Sequence, residues 1–328
     1  MSIVVLAPGM LTTVQDGGRA GHAALGVGGA GAMDPVALRL ANILVGNVEN
    51  AAVLEITLRG PRLRFEADTV VAFTGAELDV HCDGSALPRW CPIALRAGSE
   101  IVCGGMRRGA RSYLAVAAGI EIEPLLDSRS TDINAGIGAA LVAGDTLACA
   151  PARSTFAPMR ELRRVEASFV VAKWALDSAP WFDASAQHPL HVLRGAHFAQ
   201  LDSASQQALF AREFRIGADS NRVGYRFEGV ALALREALEL VSEGVVPGTL
   251  QLPSGGAPIA LMAEAPTNGG YPRIAQIVSV DLPHLAQRRP GDTVRFAEIS
   301  LTEAQTRYLQ RERALAALAR NVAERLHE

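Results

Sequence analysis

Lysine is almost absent from this chain. Lys173 is the only lysine among 328 residues, so arginine supplies the rest of the 31 basic side chains. A phosphate-binding P-loop needs a lysine in Gly-Lys-Ser or Gly-Lys-Thr to reach the phosphates, whereas Lys173 stands in Val-Ala-Lys-Trp. The same context excludes a biotin-carrying lysine, which stands in Met-Lys-Met. We therefore expect any ATP, biotin or lysine base in the reaction to come from another chain.

Other signatures are missing as well. The four cysteines form no Cys-x-x-Cys pair, and no stretch has about 18 consecutive apolar residues, the length that a membrane span requires. The first residues, MSIVVLAPG, lack the basic and long apolar regions of a signal peptide. The formal net charge of −3 gives no reason to expect a nucleic acid or an anionic membrane as partner. We expect a cytoplasmic protein with reduced, buried thiols.

Aromatic residues are scarce, but apolar residues in general are not. They make up 49% of the chain, whereas aromatic residues make up only 5%, so the core is expected to consist of Val, Leu, Ile and Ala. A chain of this length exceeds the roughly 250–300 residues at which single cores stop growing, which predicts two domains.

Short, partly alternating apolar runs fill both halves of the chain, and Gly, Asp and Pro interrupt them about every ten residues. This pattern predicts a mainly β fold of the sandwich or barrel kind. It includes the runs AVLEITL, TVVAFTG, SYLAVAAGI, REALELVSEG, RIAQIVSVDLP and DTVRFAEIS. We predict an N-terminal β domain over residues 1–155, a connector over 156–185, a C-terminal β domain over 186–300 and a C-terminal helix over 301–328.

Three helices are predicted within this β pattern. Asp34-Pro35 is a favourable cap and first position for a helix that ends at Gly46-Asn47. Residues 201–213 predict a short helix that Asp202 or Ser203 can cap. Residues 301–327 show apolar residues near a 3.6 period, which predicts a helix packed on the β domain or, alternatively, a helix that docks a partner.

The two halves contain similar motifs in the same order. Asp-x-x-Arg-x-Gly occurs at 16–21 and 219–224, Leu-Glu-Ile at 54–56 resembles Leu-Glu-Leu at 238–240, Tyr113 parallels Tyr271, and Gly-Asp-Thr occurs at 144–146 and 291–293. We interpret this order as a duplicated domain. Equivalent loops of two such copies would meet at a shared cleft, where ligands often bind.

Three glycine-rich runs between residues 219 and 273 combine turn residues with polar side chains that a simple connection does not need. Arg222, Glu243 and Tyr271 are therefore the predicted catalytic residues. The predicted substrate-binding residues are Gln15, Asp16, Arg19, Asn221, Tyr225, Gln251 and Arg273.

The chemistry of these side chains suits a small amide-like ligand. Arg19 and Arg222 offer planar guanidinium groups for a carboxylate or phosphate, and Asp16 and Asp219 could orient them. The alternative is that each Asp–Arg pair only braces its own loop. Glu243 is a candidate acid or base if it is partly buried, and otherwise an ordinary surface carboxylate.

No metal site is predicted. His188-x-x-His191 is the one close histidine pair, and Pro189 between its members argues against a helix that presents both. No Gly-x-Ser-x-Gly elbow is present, and Cys91 and Cys103 lie in apolar runs that are typical of a core.

With these motifs in view, the chain resembles the KipA/PxpC family, whose members are also called 5-oxoprolinase C subunits, allophanate hydrolase subunit 2-like or biotin-dependent carboxyltransferase-like proteins. The similarity covers nearly the whole chain to about residue 300. The segments that carry it are TTVQDGGRAGHAALGV, AAVLEITLRGP, SRST at 128–131, SNRVGYRFEG, SEGVVPGTLQLP and TNGGYPRIA.

The resemblance implies two tandem cyclophilin-like β-barrel domains with a few helices. It also implies one component of an ATP-dependent complex that opens 5-oxo-L-proline to L-glutamate. Its partners in that complex would be two further subunits, one KipI/PxpB-like and one PxpA-like. No cofactor is then expected on this chain, and ATP is expected on a partner subunit.

Two alternatives remain open. One is a carboxyltransferase component that acts on a urea-like or amide substrate with a biotin-carrying partner. The other is a non-enzymatic KipA-like regulator that binds a kinase inhibitor.

Overall fold

A computed structural model describes residues 1–185 and 188–328 of the chain. The described residues form two compact units, each with its own core. The first consists of Met1–Gly18, Asp34–Phe182 and Arg313–Glu328, and the second of Arg19–Met33 and Asp183–Glu312. The predicted domain boundaries stay a prediction, and the predicted start at residue 186 lies outside the described residues.

Two antiparallel sheets build the first unit. Their orders are β11-β12-β1-β4-β9-β6-β7 and β13-β8-β5-β10-β3-β2. Buried side chains from both sheets, among them Ile3, Leu63, Phe73 and Leu114, share one hydrophobic cluster. The strands are β1 (Ser2–Ala7), β2 (Leu11–Gln15), β3 (Val53–Thr57), β4 (Arg62–Phe65), β5 (Thr69–Gly75), β6 (Leu78–Cys82), β7 (Ser85–Ala86), β8 (Ile93–Leu95), β9 (Glu100–Met106), β10 (Arg111–Val116), β11 (Ile120–Glu121), β12 (Thr146–Cys149) and β13 (Phe169–Val171).

Helix α1 (Pro35–Leu44) begins as predicted. The Asp34 carboxylate accepts a hydrogen bond from the Ala37 N–H, which satisfies one of the donors left open at a helix start. Most of the helix is buried, and the Thr74 hydroxyl donates to its Ala37 carbonyl at 2.6 Å. A second helix, α2 (Ala157–Leu162), lies in the segment predicted to be a connector.

One eight-stranded sheet and a two-stranded ladder build the second unit. The sheet has the order β22-β15-β16-β19-β18-β21-β14-β23, and the ladder pairs β17 with β20. Phe214, Phe227 and Phe296 stack at centroid distances of 5.4–6.2 Å in its core. The strands are β14 (Leu190–Arg194), β15 (Phe214–Ile216), β16 (Gly224–Glu228), β17 (Glu243–Gly244), β18 (Thr249–Gln251), β19 (Ile259–Leu261), β20 (Asn268–Gly269), β21 (Arg273–Ile277), β22 (Thr293–Val294) and β23 (Phe296–Glu298).

The remaining helices are α3 (Ser203–Ala211), α4 (Leu282–Ala286) and α5 (Leu301–Arg325). Asp202 caps α3 through the Ser205 N–H at 2.6 Å, as predicted. Helix α5 confirms the predicted C-terminal helix and buries Leu315 and Val322. The mainly β fold class with a few helices and a long C-terminal helix is confirmed. No helix of the described ranges combines the length and the apolar character that crossing a bilayer requires.

The strand predicted over REALELVSEG is wrong for most of its length. In this run only Glu243–Gly244 forms a strand, and residues 235–242 are irregular. Its apolar residues do not alternate strictly, and Glu236 and Glu239 are exposed. Glutamate and alanine also have low strand propensity, so the segment lacks a face to bury.

The internal repeat is confirmed only in part. Gly144 and Gly291 both have a positive φ, and Asp145 and Asp292 each accept a hydrogen bond at 2.8 Å from the N–H three residues earlier. The turns that precede β12 and β22 are therefore alike. The other pairs differ, since Glu55 is buried in β3 and Glu239 is exposed in a loop, while Tyr113 is 0% exposed and Tyr271 is 51% exposed.

Candidate functional site

Asp16 is buried at the end of β2, where the segment 128–131 surrounds its carboxylate. Oδ1 accepts hydrogen bonds from the hydroxyls of Ser128 (2.6 Å) and Ser130 (2.5 Å) and from the Gly18 N–H (2.8 Å). Oδ2 accepts from the Arg129 N–H at 2.6 Å. Four donors thus hold one carboxylate, which ties the β2 turn to a segment more than a hundred residues away in sequence.

The balance of forces on Asp16 favours its charged form. Burial alone raises the pKa of a carboxyl group, but the hydrogen bonds from Ser128, Ser130, Arg129 and Gly18 outweigh it, so the pKa lies below the ordinary value. A carboxylate satisfied in this way has little capacity left for a substrate. We interpret Asp16 as a structural link between the β2 turn and the segment 128–131, rather than as half of the predicted Asp–Arg pair, and substrate binding by Asp16 stays a prediction.

Gln15, the last residue of β2, is fully buried. Its Nε2 donates to the Thr131 carbonyl at 3.0 Å and to the Thr13 hydroxyl at 3.1 Å. Its Oε1 has no hydrogen-bond partner within residues 1–185 and 188–328. The Gln15 amide nitrogen is therefore held by two hydrogen bonds, while its Oε1 is an acceptor that the described residues leave unused.

Arg222 is also buried, and the predicted partner for it is wrong. Its Nε donates to Glu264 Oε1 at 2.6 Å, and its NH2 donates to the Gly31 carbonyl at 2.6 Å. Asp219 is exposed. The guanidinium group binds a carboxylate 42 residues away in sequence because Glu264 follows the strand that pairs with β16, and Asp219 stays in solvent.

Arg19 lies in the same compact unit as Arg222 and on the same glycine-rich segment that Arg222 contacts. Its side chain is buried, and its N–H donates to the Gly29 carbonyl at 2.6 Å. Both arginines thus contact the run between Gly29 and Gly31. The predicted orientation of Arg19 by Asp16 stays a prediction.

Asn221 and Tyr225 mainly shape the turn and the core. The Asn221 side-chain oxygen accepts from the N–H groups of Val223 (2.9 Å) and Gly224 (3.3 Å), which closes a tight turn before β16. The Tyr225 hydroxyl donates to the Arg288 carbonyl at 3.3 Å from a side chain that is 3% exposed. Substrate contact by either residue stays a prediction.

Four predicted residues come together around the β17–β20 ladder. Glu243 pairs with Gly269 across the ladder, and its carboxylate forms an ion pair with the Arg273 guanidinium. Gln251 stands opposite Arg273 in the β18–β21 register. We call Glu243, Gln251, Gly269, Tyr271 and Arg273 the hairpin cluster.

Gln251 is the one buried member of the hairpin cluster with an unmatched donor. Its side chain is 4% exposed, and its Nε2 has no hydrogen-bond partner in the described part of the chain. Gly269 lies directly over it, since a Cβ at that position would stand 2.4 Å from Nε2. Because a buried amide without a partner costs about 1–3 kcal/mol, this donor is a candidate contact for a ligand.

Tyr271 extends the hairpin cluster into a groove of about 440 Å³. The ring is 51% exposed, so it offers both a face and a hydroxyl to a bound molecule. The groove is mostly apolar, and the residues that line it include Leu232, Leu234, Leu238, Leu252, Pro253, Gly270, Tyr271 and Pro272. The cluster thus offers a carboxylate, a guanidinium group, an amide donor and a phenol, of which the phenol lines the groove, and this combination suits a small amide with a negative charge.

Two further polar groups lie outside the predicted site residues. In the first unit, the buried Tyr113 hydroxyl donates to Glu55 Oε2 and accepts from the Asp34 N–H, both at 2.8 Å. Burial and the neighbouring Glu55 carboxylate raise the pKa of Tyr113 well above its ordinary range. This group fixes the start of α1. The sequence signal that could have revealed it is a glutamate, Glu55, inside the apolar strand run AVLEITL.

The second group consists of His188, His191, Asp281 and His284, which we call the histidine cluster. Burial and the adjacent His188 lower the pKa of His284. The pKa of Asp281 is also lowered, because the effect of burial is outweighed by the nearby His188 and by the hydrogen bonds from the His191 backbone and ring. Within the described ranges, three members of this cluster, His188, Asp281 and His284, have ligand atoms close enough to one another to hold a metal ion. The sequence signal was the spacing Asp-x-x-His at 281–284, which lies far from the His188–His191 pair.

Comparisons with known proteins point to one family. A family model described as "Carboxyltransferase domain, subdomain A and B" matches residues 25–298. The C subunit of 5-oxoprolinase from Escherichia coli K12 is 39% identical over 304 residues, which cover 92% of each chain. The corresponding 5-oxoprolinase protein of Haemophilus influenzae is 34% identical over 89% of each chain.

A solved structure has a similar fold. The urea amidolyase of K. lactis superimposes with a TM-score of 0.84 at 26% identity over 97% of this chain. The chain spans 20% of the length of that enzyme.

Proposed function

Because the chain belongs to the carboxyltransferase domain family, we propose that it is the C subunit of a 5-oxoprolinase complex, which hydrolyses 5-oxo-L-proline to L-glutamate with ATP. The main support is the 39% identity to the E. coli protein of that name over 92% of both chains. At that coverage, the similarity extends over both compact units and includes every residue of the hairpin cluster.

The hairpin cluster is the part of the chain that we assign to the substrate. 5-Oxo-L-proline carries a carboxylate and a lactam on a small apolar ring. Arg273 is 30% exposed and already pairs with the Glu243 carboxylate, so it suits the carboxylate of the substrate. The groove beside Tyr271 suits the apolar ring of the substrate. The unmatched Gln251 Nε2 suits the lactam carbonyl oxygen, on which negative charge develops during attack.

Glu243 is the proposed acid and base of this site. When the substrate carboxylate replaces it on Arg273, its carboxylate becomes available to the lactam. It takes a proton from the attacking water, and it returns a proton to the ring nitrogen as the C–N bond breaks. The products of this step are the two carboxylates and the ammonium group of glutamate, which carry the same net charge of −1 as the substrate anion and water, so atoms and charge balance.

We propose that ATP binds to a partner chain and that this chain is inactive alone. Lys173, its only lysine, has a side chain that is 86% exposed and lies 3.9 Å from Glu161. It is therefore poorly placed to hold phosphates in a buried site. The proposed partners are a PxpA-like protein that uses ATP and a KipI/PxpB-like protein of related fold. A cytoplasmic location is part of the proposal, and the four buried free cysteines agree with it.

The fold match to urea amidolyase supports a second candidate function. In that case the chain would transfer a carboxyl group to a urea-like or amide substrate, together with a biotin-carrying partner. The TM-score of 0.84 is the observation in its favour, although the identity of 26% is lower than that to either 5-oxoprolinase relative.

Co-purification with the products of neighbouring genes, followed by activity assays, separates these functions. We expect partner proteins to be captured and 5-oxo-L-proline-dependent ATP hydrolysis to require all of them, so that omission of this chain abolishes it. Carboxylation of urea that depends on bicarbonate and a biotinylated partner would favour the second function. Capture of a kinase inhibitor without either activity would favour a regulator and refute both.

A further inference from the structure

The histidine cluster joins two parts of the second unit. His188 and His191 flank the start of β14, whereas Asp281 and His284 lie at the start of α4. We propose that His188, Asp281 and His284 bind one divalent transition metal ion, for which zinc is the best chemical match. This proposal is independent of the function proposed for the hairpin cluster.

The distances between the three side chains fit a shared ion. Their ligand atoms all lie within 4.8 Å of one another. His188 Nε2 and Asp281 Oδ1 are 3.7 Å apart, too far for a direct hydrogen bond. Two ligands on a tetrahedral zinc ion with bonds of about 2.0–2.1 Å stand roughly 3.4 Å apart, so the spacing of these two atoms is close to that of two ligands on one zinc ion.

The remaining contacts orient these side chains in the way that metal ligands are usually oriented. Metal-binding histidines commonly donate their second ring N–H to a backbone carbonyl or a carboxylate. His284 Nδ1 lies 3.3 Å from the Asp183 carbonyl oxygen, which leaves its Nε2 lone pair for an ion.

The Asp281 carboxylate is oriented from its other side. The backbone N–H of His191 donates to Oδ2 at 2.6 Å, and its ring Nδ1 lies 2.8 Å from the same oxygen. Both contacts fall on Oδ2, so Oδ1 faces His188.

The local charge also allows a cation. The Asp281 side chain is only 4% exposed, and the Asp183 carboxylate lies 3.8 Å from His188. Arg307 approaches the His191 ring at 3.2 Å, but its NH2 donates to Glu303 at 2.6 Å, which offsets its charge. Two imidazoles and one carboxylate form a ligand set that zinc favours, with a fourth position left for water.

Zinc binding by the full-length, tag-free chain tests the proposal. After treatment with a chelator, isothermal titration with Zn²⁺ is expected to show one site per chain. At a hundredfold excess of zinc over Kd, the Tm is expected to rise by about 5 °C. Co²⁺ is expected to show the visible absorption of a tetrahedral site.

Matched variants assign the ligands. His284→Ala and Asp281→Asn are expected to weaken zinc binding at least tenfold, while His81→Ala, in the first unit and outside the cluster, keeps the wild-type affinity. Should Asp281→Asn fail to fold by circular dichroism, His188→Ala provides the same test on a more exposed side chain. A wild-type chain that binds no zinc, or cluster variants that bind it as the wild type does, would overturn the proposal.

Discussion

Two polar regions of this molecule resemble each other in composition and differ in what their groups contact. The Asp-x-x-Arg-x-Gly turns contain Asp16 and Arg222, both buried and both hydrogen-bonded at 2.5–2.9 Å to groups of their own unit. The hairpin cluster has an exposed Glu243, a half-buried Arg273 and a buried Gln251 donor without a partner in the described residues. A satisfied polar group stabilises the fold, whereas an unmatched one is where a ligand adds an interaction. Substitutions in the turns are therefore expected to change stability, whereas substitutions in the hairpin cluster are expected to change activity.

Loss of the Arg222 side chain is expected to have the largest effect. Arg222→Ala leaves Glu264 buried without its ion-pair partner, which destabilises a protein by about 3–5 kcal/mol. Urea unfolding measures the loss. Arg215→Ala is the matched control, because the Arg215–Glu228 pair is exposed and contributes about 1 kcal/mol or less. Equal stability of the two variants would show that the turn is not a structural brace.

Asp16→Ala is expected to destabilise the first unit by about 3 kcal/mol, since it leaves several buried donors without an acceptor. Asp219→Ala removes the exposed aspartate of the same motif and is expected to change stability by less than about 0.5 kcal/mol. The comparison fails if the two substitutions have the same effect on the urea midpoint.

The contribution of Asp16 should also depend on pH. Its folded-state pKa lies below the ordinary value, so the stabilisation is fully present above about pH 4 and is lost as the pH falls through the folded-state pKa. Urea midpoints of the wild type and Asp16→Ala are therefore expected to differ most near pH 6 and to converge as the pH falls below about 4. A constant difference across this range would contradict the assignment.

In the hairpin cluster, the expected effects are on activity. Glu243→Gln is expected to lower kcat for 5-oxo-L-proline-dependent ATP hydrolysis by about a hundredfold in the complete complex, the scale of a lost acid or base. The same variant should change stability by less than about 1 kcal/mol, because the Glu243–Arg273 pair is partly exposed. An unchanged kcat with a higher KM would leave Glu243 a role in binding only.

The smallest effect is expected from the glycine above Gln251. A Cβ in Gly269→Ala would crowd Gln251 Nε2, the mobile end of a side chain, so we expect a several-fold loss of rate with little loss of stability. Gly244→Ala, in the partner strand of the same ladder, is the control, because its Cβ would have no atom within 4 Å. Equal rates for both variants would show that a side chain at position 269 does not disturb the site.

The sequence predicted the fold class and the capped helices because these depend on local patterns. The Asp34 and Asp202 caps and helix α5 depend on residues a few positions apart. The family resemblance, carried by long motifs, is confirmed by the match over residues 25–298.

Predictions that required distant contacts were less successful. Arg222 was paired with its sequence neighbour Asp219, yet it binds Glu264, which tertiary packing brings from 42 residues away. The histidine cluster joins positions 188–191 to 281–284, and no local pattern connects those segments. Whether the predicted residues act on a substrate depends on contacts with a ligand and partners, so these roles stay predictions.

Gln251→Leu tests most directly whether the unmatched donor serves the substrate. The account predicts that this variant keeps the wild-type urea midpoint, since it removes a donor that has no partner among the described residues, and that its complex hydrolyses ATP in response to 5-oxo-L-proline at least tenfold more slowly. A variant that keeps both the wild-type midpoint and the wild-type rate would contradict the account.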